Sequence, residues 1–432
     1  MGSNISKKST FLETMQWFVF LLASSIALPI VIGTIFEMSL LEISGLMQRT
    51  FFIVGISCFL QGVIGHRLPI VDGPAGLWIS MFAVYATIAS QKGVSFTLTL
   101  RELEMTMILT GICLVLMGVF RLAEKVIRLF NPLITGAFLF MLTIQLSGTF
   151  LKGMLGIDGE KVVAQLDATL ISFFVFFFVL GFSILWKGPL KNYAVLIGVS
   201  IGWILHGIIH KPKINIASLP VIQFPELFAW GAPKWDWGSF PIAILIALIL
   251  LSNIVGSLAA ANQVLNGSPV FTHEQMNRGS YTLGLNHGIS ALFSGVAVVT
   301  LASSSGFMDI TGQKRKKPFM YASILLIFLA LFPPIVSLIS MIPSPVANAA
   351  LLATFVQLMG IGLSNIANEH LDQRKLTMLS ISFLVGIGLM FMPSQTFQVF
   401  PELVQSLLSN GLLVGTVLII LLDQMWKDNK RV

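Results

Sequence analysis

This sequence has few charged residues and very few cysteines. Asp, Glu, Lys and Arg make up 10% of its 432 residues, whereas 55% are hydrophobic and the mean hydropathy is +0.88. A soluble domain carries about 25% charged residues, so the composition excludes an ordinary soluble globular protein. Cys58 and Cys113 both lie in apolar runs. This placement indicates buried thiols and no disulfide framework.

Groupings of catalytic side chains are also scarce. His206 and His210 share one helix face beside Lys211, but no carboxylate lies nearby to complete a metal site. His287 follows Asn286 in an apolar run, which is more typical of a packed, hydrogen-bonded side chain than of a proton relay. The sequence offers no cluster of His, Asp or Glu and no serine dyad. It therefore predicts neither an enzyme nor a metal site.

What the chain does have is a series of long uncharged runs. Residues 18–35 carry no charge, and at about 1.5 Å per residue they cross most of a ~30 Å hydrocarbon core. Lys7 and Lys8 before this run would also fit a cleaved signal peptide, but further spans follow at once and favour a membrane helix. Runs of this kind predict an all-α polytopic membrane protein with about fourteen segments, seven in each half.

The predicted segments begin near Phe11, Thr50, Pro74, Met105, Asn131, Asp167 and Leu190 in the first half, and near Phe240, Gly279, Ser304, Pro318, Pro345, Lys375 and Leu403 in the second. Seven spans followed by seven give the halves opposite orientations, as an inverted repeat requires. We expect a cytoplasmic N-terminus at residues 1–10, a first repeat at 11–210, an extracellular connector at 211–239, a second repeat at 240–424 and a cytoplasmic C-terminus at 425–432.

The distribution of basic residues supports this orientation. With the N-terminus inside, the inner loops hold eighteen of the 26 Lys and Arg residues, as the positive-inside rule expects. The densest run, Lys314–Lys317, fits a topology anchor better than an anionic-lipid or nucleic-acid patch, because every inner loop shares the bias. The net charge of +7 therefore points to membrane lipids and not to nucleic acid.

Two short runs of small residues interrupt the hydrophobic sequence at corresponding points, VDGPAGLW at 71–78 and LASSSGFM at 301–308. A β-type run precedes each break, at Arg67–Val71 and Val296–Leu301, and a helix follows. A helix broken at membrane depth is tolerated only where protein encloses it, and paired breaks mark the centre of a transporter. We therefore predict short strands and half-helices at segments 3 and 10, with the two half-helix N-termini facing each other.

These breaks carry neutral polar groups. Free N–H groups at the half-helix N-termini favour acceptors on a ligand, and Ser303 and Ser304 add hydroxyls. Asn253 and Ser257, one helical turn apart in the eighth span, present a second polar face. No Lys or Arg is predicted at this depth, so the ligand should be small, polar and uncharged. The alternative is that small residues such as Gly256 only let helices pack closely.

Two acids lie close to the breaks and are candidates for proton coupling. An intramembrane carboxylate can take up and release protons. Asp309 lies within the second half-helix and is the preferred candidate, although it would equally complement the helix dipole. Asp72 adjoins Gly73 and Pro74, where it could instead cap the first half-helix.

At these residues the chain resembles the nucleobase–ascorbate transporter family, which includes the uracil and xanthine permeases. The resemblance covers nearly the whole chain and rests on residues 68–80, 254–258 and 305–312, where Gly306, Thr311 and Gly312 match the family signature. It implies fourteen spans in core and gate domains, a base bound between the third and tenth spans, proton coupling and, often, a homodimer.

By position, the resemblance implies base-contacting roles for Ser24, Gly76, Asn253, Ser257, Ser303 and Ser304, to which we add Trp78 and Gly306. Asn253 stands where the family usually has a glutamate, and Ser257 where uracil permeases have a histidine. The Ser303–Ser304 pair replaces an acid–asparagine pair. Gly76 falls where an aromatic ring stacks on uracil, so Trp78 or Trp17 is the candidate ring, and Asp309 is the candidate substitute for the missing coupling acid.

The sequence thus predicts a secondary active importer of a purine or pyrimidine base, of the uracil or xanthine type, in the cytoplasmic membrane. The coupling ion should be a proton and less favourably sodium, with no cofactor and no metal. The alternatives are the same fold carrying another small solute or an anion, or a membrane sensor that does not transport.

Overall fold

The structure is a computed structural model that describes residues 2–74, 76–122, 131–157, 163–187, 189–210, 219–397, 399–400 and 402–426. In the first half the elements are α1 (Gly2–Ile35), α2 (Leu40–Val63), β1 (Asp72–Pro74), α3 (Gly76–Lys92), α4 (Phe96–Val119), α5 (Pro132–Met154), α6 (Leu166–Leu185) and α7 (Ala194–His210). A 3-10 helix at Pro189–Tyr193 precedes α7.

The second half contains α8 (Ser239–Asn266), α9 (His273–Leu292), β2 (Val298–Thr300), α10 (Ser303–Thr311), α11 (Lys316–Ala330), α12 (Pro333–Ser340), α13 (Ser344–Ala367), α14 (Gln373–Met390), α15 (Glu402–Leu408) and α16 (Gly411–Met425). A second 3-10 helix covers Ser394–Phe397. The predicted helical class is confirmed.

Seven helices of the described chain are long and apolar enough to cross a membrane, namely α1, α2, α4, α5, α6, α8 and α13. Helices α11 and α12 pass the same test together but meet at an angle of 91°. Pro333 and Pro334 open α12, where a missing N–H costs no helical hydrogen bond. The chain is therefore a multi-pass membrane protein, and the count of fourteen segments stays a prediction.

The helices pack into two groups. The first bundle consists of α1–α4, α8–α12 and both strands, and the second bundle of α5–α7 and α13–α16. Glycines allow the closest helix pairs: a Cβ on Gly111 of α4 would lie 2.6 Å from the carbonyl oxygen of Gly284 in α9, and one on Gly136 of α5 would lie 2.7 Å from that of Gly362 in α13. In a membrane protein, this close backbone approach is what small residues provide.

The two strands pair antiparallel inside the first bundle, with Asp72 opposite Thr300 and Pro74 opposite Val298. Strand β2 lies within the predicted run, whereas β1 begins one residue after the predicted run Arg67–Val71 ends. That run begins as a turn, because Arg67 has a left-handed φ of 63°. Asp, Gly and Pro are poor strand formers, so the partner strand and not intrinsic propensity places β1.

Residues 219–238, which lead into α8, lie against the first bundle. The amide of Phe228 donates to the carbonyl of Leu292 at 2.9 Å. Beside them Arg49 Nε donates to the carbonyl of Ser294 at 3.0 Å, and the Ser294 hydroxyl donates to Glu104. The connection between the halves is therefore attached to the first bundle. Residues 211–218 and 427–432 of the predicted connector and C-terminus lie outside the described residues.

Candidate functional site

Two helices begin just after the paired strands, one at each end of the antiparallel pair. Helix α3 begins at Gly76, shortly after β1, and α10 begins at Ser303, shortly after β2. The amide of Val71 donates to Ser304 Oγ at 2.9 Å, and the amide of Leu301 donates to the carbonyl of Val71 at 2.8 Å. Each break is therefore anchored to the other by hydrogen bonds.

Helix α8 meets the same strands through Ser257. The Ser257 hydroxyl is 3.0 Å from the carbonyl oxygen of Thr300 and 3.3 Å from Oδ1 of Asn253. A hydroxyl has one proton and can donate to only one of these acceptors at a time. Ser257 is buried, whereas Asn253 is exposed, so the Asn253 amide can also bind a ligand.

The exposed candidates lie beside the boundary between the bundles. Asn253, Ser303 and Gly306 are all exposed. Next to Asn253, the hydroxyl of Ser252 is 3.2 Å from that of Thr135 on α5 of the second bundle. This contact places the polar face of α8 where the two bundles meet.

The hydroxyls of Ser24 and Ser304 are engaged within the protein. Ser24 is half-buried, and its hydroxyl donates to the carbonyl of Leu21 in its own helix at 2.9 Å. Ser304 is fully buried and is the acceptor for the Val71 amide. Of the three consecutive serines in α10, Ser303 is exposed, whereas Ser304 and Ser305 are buried.

An aromatic ring faces Gly76 from the second bundle. A Cβ on Gly76 would lie 2.7 Å from Cζ of Phe355 in α13, and Phe355 makes an edge contact with Phe150 at 5.0 Å. The ring thus covers the N-terminus of α3. Sequence reasoning missed Phe355, because a phenylalanine in an apolar span of the other half carries no local signal.

Trp78 lies inside the first bundle. Its side chain is fully buried and its indole Nε1 donates to His287 Nε2 at 3.1 Å. His287 Nδ1 lies 2.8 Å from the carbonyl oxygen of Leu283. This network assigns the proton to Nδ1 and makes His287 a neutral, packed side chain. In this arrangement the Trp78 ring faces α9 and not the boundary.

The two candidate acids occupy opposite environments. Asp309 is exposed on α10, whereas Asp72 in β1 is completely buried. Asn286 of α9 donates to Asp72 Oδ2 at 3.1 Å, and the backbone amide of Asp72 donates to Cys58 Sγ at 3.2 Å. The side chain of Asp72 thus contacts Asn286 of α9 and Gln61 of α2 and does not cap α3.

A separate cavity of about 550 Å³ lies where α4 ends and α9 begins. It is lined by Gly118, Val119, Arg121, His273, Glu274, Asn277, Arg278 and Tyr281. None of the candidate residues lines it, so it is distinct from the site at the paired strands.

Comparison with known sequences supports a permease. Residues 8–395 match the family model of the xanthine and uracil permeases, described as a permease family. The putative purine permease YwdJ of Bacillus subtilis is 30% identical over 431 residues, with 97% of each chain covered. The uric acid permease PucJ of the same organism is 24% identical, covering 96% of this chain and 91% of the relative. The xanthine permease XanP of Escherichia coli is 22% identical, covering 89% and 85%.

Solved structures show the same fold. The transmembrane domain of a cyanobacterial bicarbonate transporter, BicA, aligns with a TM-score of 0.64 at 16% identity, covering 94% of this chain and 96% of that one. SLC26A9 aligns with a TM-score of 0.63 at 13% identity, covering 98% and 67%. At this identity the likeness concerns architecture alone.

Proposed function

Because this chain belongs to the nucleobase–ascorbate transporter family, that of the xanthine and uracil permeases, and is thus a transporter and not an enzyme, we propose that it imports a purine base across the cytoplasmic membrane. The observation that carries the proposal is the pair of helices that begin just after the paired strands, together with the exposed Asn253 amide beside the bundle boundary. The names of its relatives, which are purine, uric acid and xanthine permeases, favour a purine over a pyrimidine.

The polar groups suit the edge of a neutral base. A purine base presents ring N–H groups and carbonyl or ring-nitrogen acceptors in one plane, and an amide can pair with such an edge through one donor and one acceptor. Asn253 offers that amide, and Ser303 offers an exposed hydroxyl at the start of α10. Movement of the bundles would expose the Phe355 ring, which is buried over Gly76 here, as a face on which a base can stack. Sulfate-type anions are disfavoured, because none of these groups carries a positive charge.

Transport would follow from movement of the first bundle, as the core domain, against the second bundle as the gate domain. Direct hydrogen bonds across the boundary include Thr135 with Ser252 and Thr34 with Ser344 at 2.9 Å. Hydroxyl pairs of this kind are weak enough to break and reform during the movement. Proton symport, fourteen spans in a 7+7 repeat, both termini in the cytoplasm and a homodimer complete the proposal.

A base panel tests this function directly. Purified protein is heated with uracil, xanthine, hypoxanthine, guanine, adenine, urate or ascorbate, and with sulfate and bicarbonate as anion controls. A ligand at one hundred times its Kd stabilises the folded state by about 2.7 kcal/mol, so a purine should raise the Tm clearly. Ser303→Ala and Asn253→Ala should lose that shift, and Ser380→Ala, exposed on α14, should keep it.

Two results would overturn the proposal. If folded protein responds only to an anion, the fold carries a different solute. If it responds to none of the bases, and cells that lack their own purine permeases gain no uptake from it, the chain does not transport a base.

A further inference from the structure

We propose that Asp72 is the residue that takes up the co-transported proton, and that Thr300 and Ser257 connect it to the base at Asn253. The inference rests on the function proposed above and names the coupling residue within it. It differs from the expectation raised by the sequence, which preferred Asp309.

Burial and the absence of a cation distinguish Asp72 from the other acids. Asp72 and Glu104 are the fully buried acidic side chains of the described chain. Glu104 interacts with the Arg49 guanidinium and accepts from Ser294. Asp72 forms no ion pair with any described Lys, Arg or His. A buried carboxylate without a cation is costly unless a proton neutralises it.

The polar groups that face Asp72 are neutral, namely Gln61, Asn286 and Thr300. Asp72 Oδ1, Asn286 Oδ1 and Thr300 Oγ1 are buried and have no hydrogen-bond partner among the described residues. A carboxylate and an amide oxygen only accept, and the Thr300 hydroxyl can donate to just one of them. A proton on Asp72 removes the buried charge and converts the carboxyl into a donor that can pair with one of these acceptors.

A short path leads from Asp72 to the exposed site. Asp72 and Thr300 are directly opposite each other in the strand pair, so their side chains share one face of it. The carbonyl of Thr300 accepts from Ser257, whose hydroxyl also reaches Asn253. When a base engages Asn253, the Ser257 proton is directed to the Thr300 carbonyl, which fixes β2 against Asp72.

The surrounding elements hold few groups that could compete for the proton. Helix α2 presents Cys58, whose thiol contacts the Asp72 backbone, and the neutral Gln61. Helix α9 presents Asn286, followed by His287, which is bonded to Trp78. Strand β2 presents the neutral Thr300. Between residues 10 and 35, α1 carries Glu13 as its single ionisable side chain, and Glu13 pairs with Arg315 at 3.3 Å.

The test compares Asp72→Asn with Asp309→Asn in proteoliposomes. Uptake of radiolabelled xanthine, hypoxanthine and urate is measured with the membrane potential clamped at zero and an inward proton gradient of one pH unit. One coupled proton then supports about tenfold accumulation. We expect Asp72→Asn to reach a ratio of about one while it retains exchange into base-loaded vesicles, because exchange needs no net proton movement. Asp309→Asn should accumulate about tenfold, like the wild type.

The outcomes separate the two hypotheses. If the wild type neither accumulates nor exchanges any of the three bases, the proposed function fails. If the wild type exchanges but does not accumulate, or if Asp72→Asn accumulates like the wild type, the inference about Asp72 is wrong. Loss of accumulation in Asp309→Asn alone would assign the coupling to Asp309.

Infrared spectroscopy of the wild type covers the case in which Asp72→Asn does not fold. In protein labelled with ¹³C at the aspartate side-chain carboxyl, a protonated-carboxyl band that persists at neutral pH and moves with the isotope is expected. Asp72 is the fully buried aspartate of the described chain, and a buried carboxyl without a cation is the one expected to hold a proton. Absence of such a band contradicts the inference.

Discussion

The two breaks share one plan, a short strand followed by a helix start, yet they are enclosed differently. At the first break, Gly76 is covered by Phe355 and the Asp72 side chain is buried. At the second break, Ser303 and Gly306 are exposed, and a Cβ on Gly306 would meet no atom within 4 Å. The comparison teaches that one break is open to a ligand, while the other is closed and holds the buried acid.

The short helix of the open break depends on aromatic packing. Helix α10 has nine residues, and the Phe307 ring lies 4.5 Å from those of both Phe20 and Trp17. Removing a buried phenylalanine costs about 3–5 kcal/mol, so Phe307→Ala should give the largest fall in the free energy of unfolding, measured by denaturation in detergent. The exposed Phe177 on α6 is the control, and Phe177→Ala should change little. An unchanged midpoint in Phe307→Ala would show that the ring cluster does not hold α10.

Substitutions of two adjacent serines separate structural from ligand-binding roles at the same break. Ser304→Ala leaves the buried amide of Val71 without its acceptor, which costs about 1–3 kcal/mol. Ser303→Ala removes only an exposed hydroxyl and should leave the Tm unchanged while it abolishes the base-induced shift. Equal destabilisation by the two substitutions would contradict the division between a structural and a ligand-facing serine.

Alanine substitutions of two glycines, one at each break, should give the smallest difference in stability. In Gly76→Ala the new methyl group would lie 2.7 Å from the Phe355 ring. The cost should be about 1 kcal/mol, at the low end for overpacking, because the edge of the ring can move. Gly306→Ala meets open space within a helix and should not destabilise the protein. If Phe355→Leu does not relieve the effect of Gly76→Ala, the contact does not explain it.

Much of the helical layout could be predicted, because the hydrocarbon core requires a minimum length of apolar helix. Starts predicted near Asn131 and Lys375 agree closely with α5 and α14, which begin at Pro132 and Gln373. Asn131 and Asp372 cap these two helices through their side chains. Local capping chemistry of this kind can be recognised in the sequence.

Other features depend on contacts between distant segments. The eleventh segment was predicted as one span from Pro318, but it divides into α11 and α12 at the Pro333–Pro334 pair. Strand β1 depends on β2, more than two hundred residues away in sequence. Phe355 reaches Gly76 only because the two bundles pack together. No local pattern encodes such contacts, so the roles of Phe355 and of the buried Asp72 required the structure.

The backbone hydrogen bonds of Val71 determine how the two breaks can open. Its amide is held by Ser304, and its carbonyl holds the amide of Leu301. The amides of Val71 and Leu301 therefore become accessible to deuterium only when both breaks separate. In hydrogen exchange, residues from opposite halves of the chain should behave as one cooperative unit with a common opening free energy.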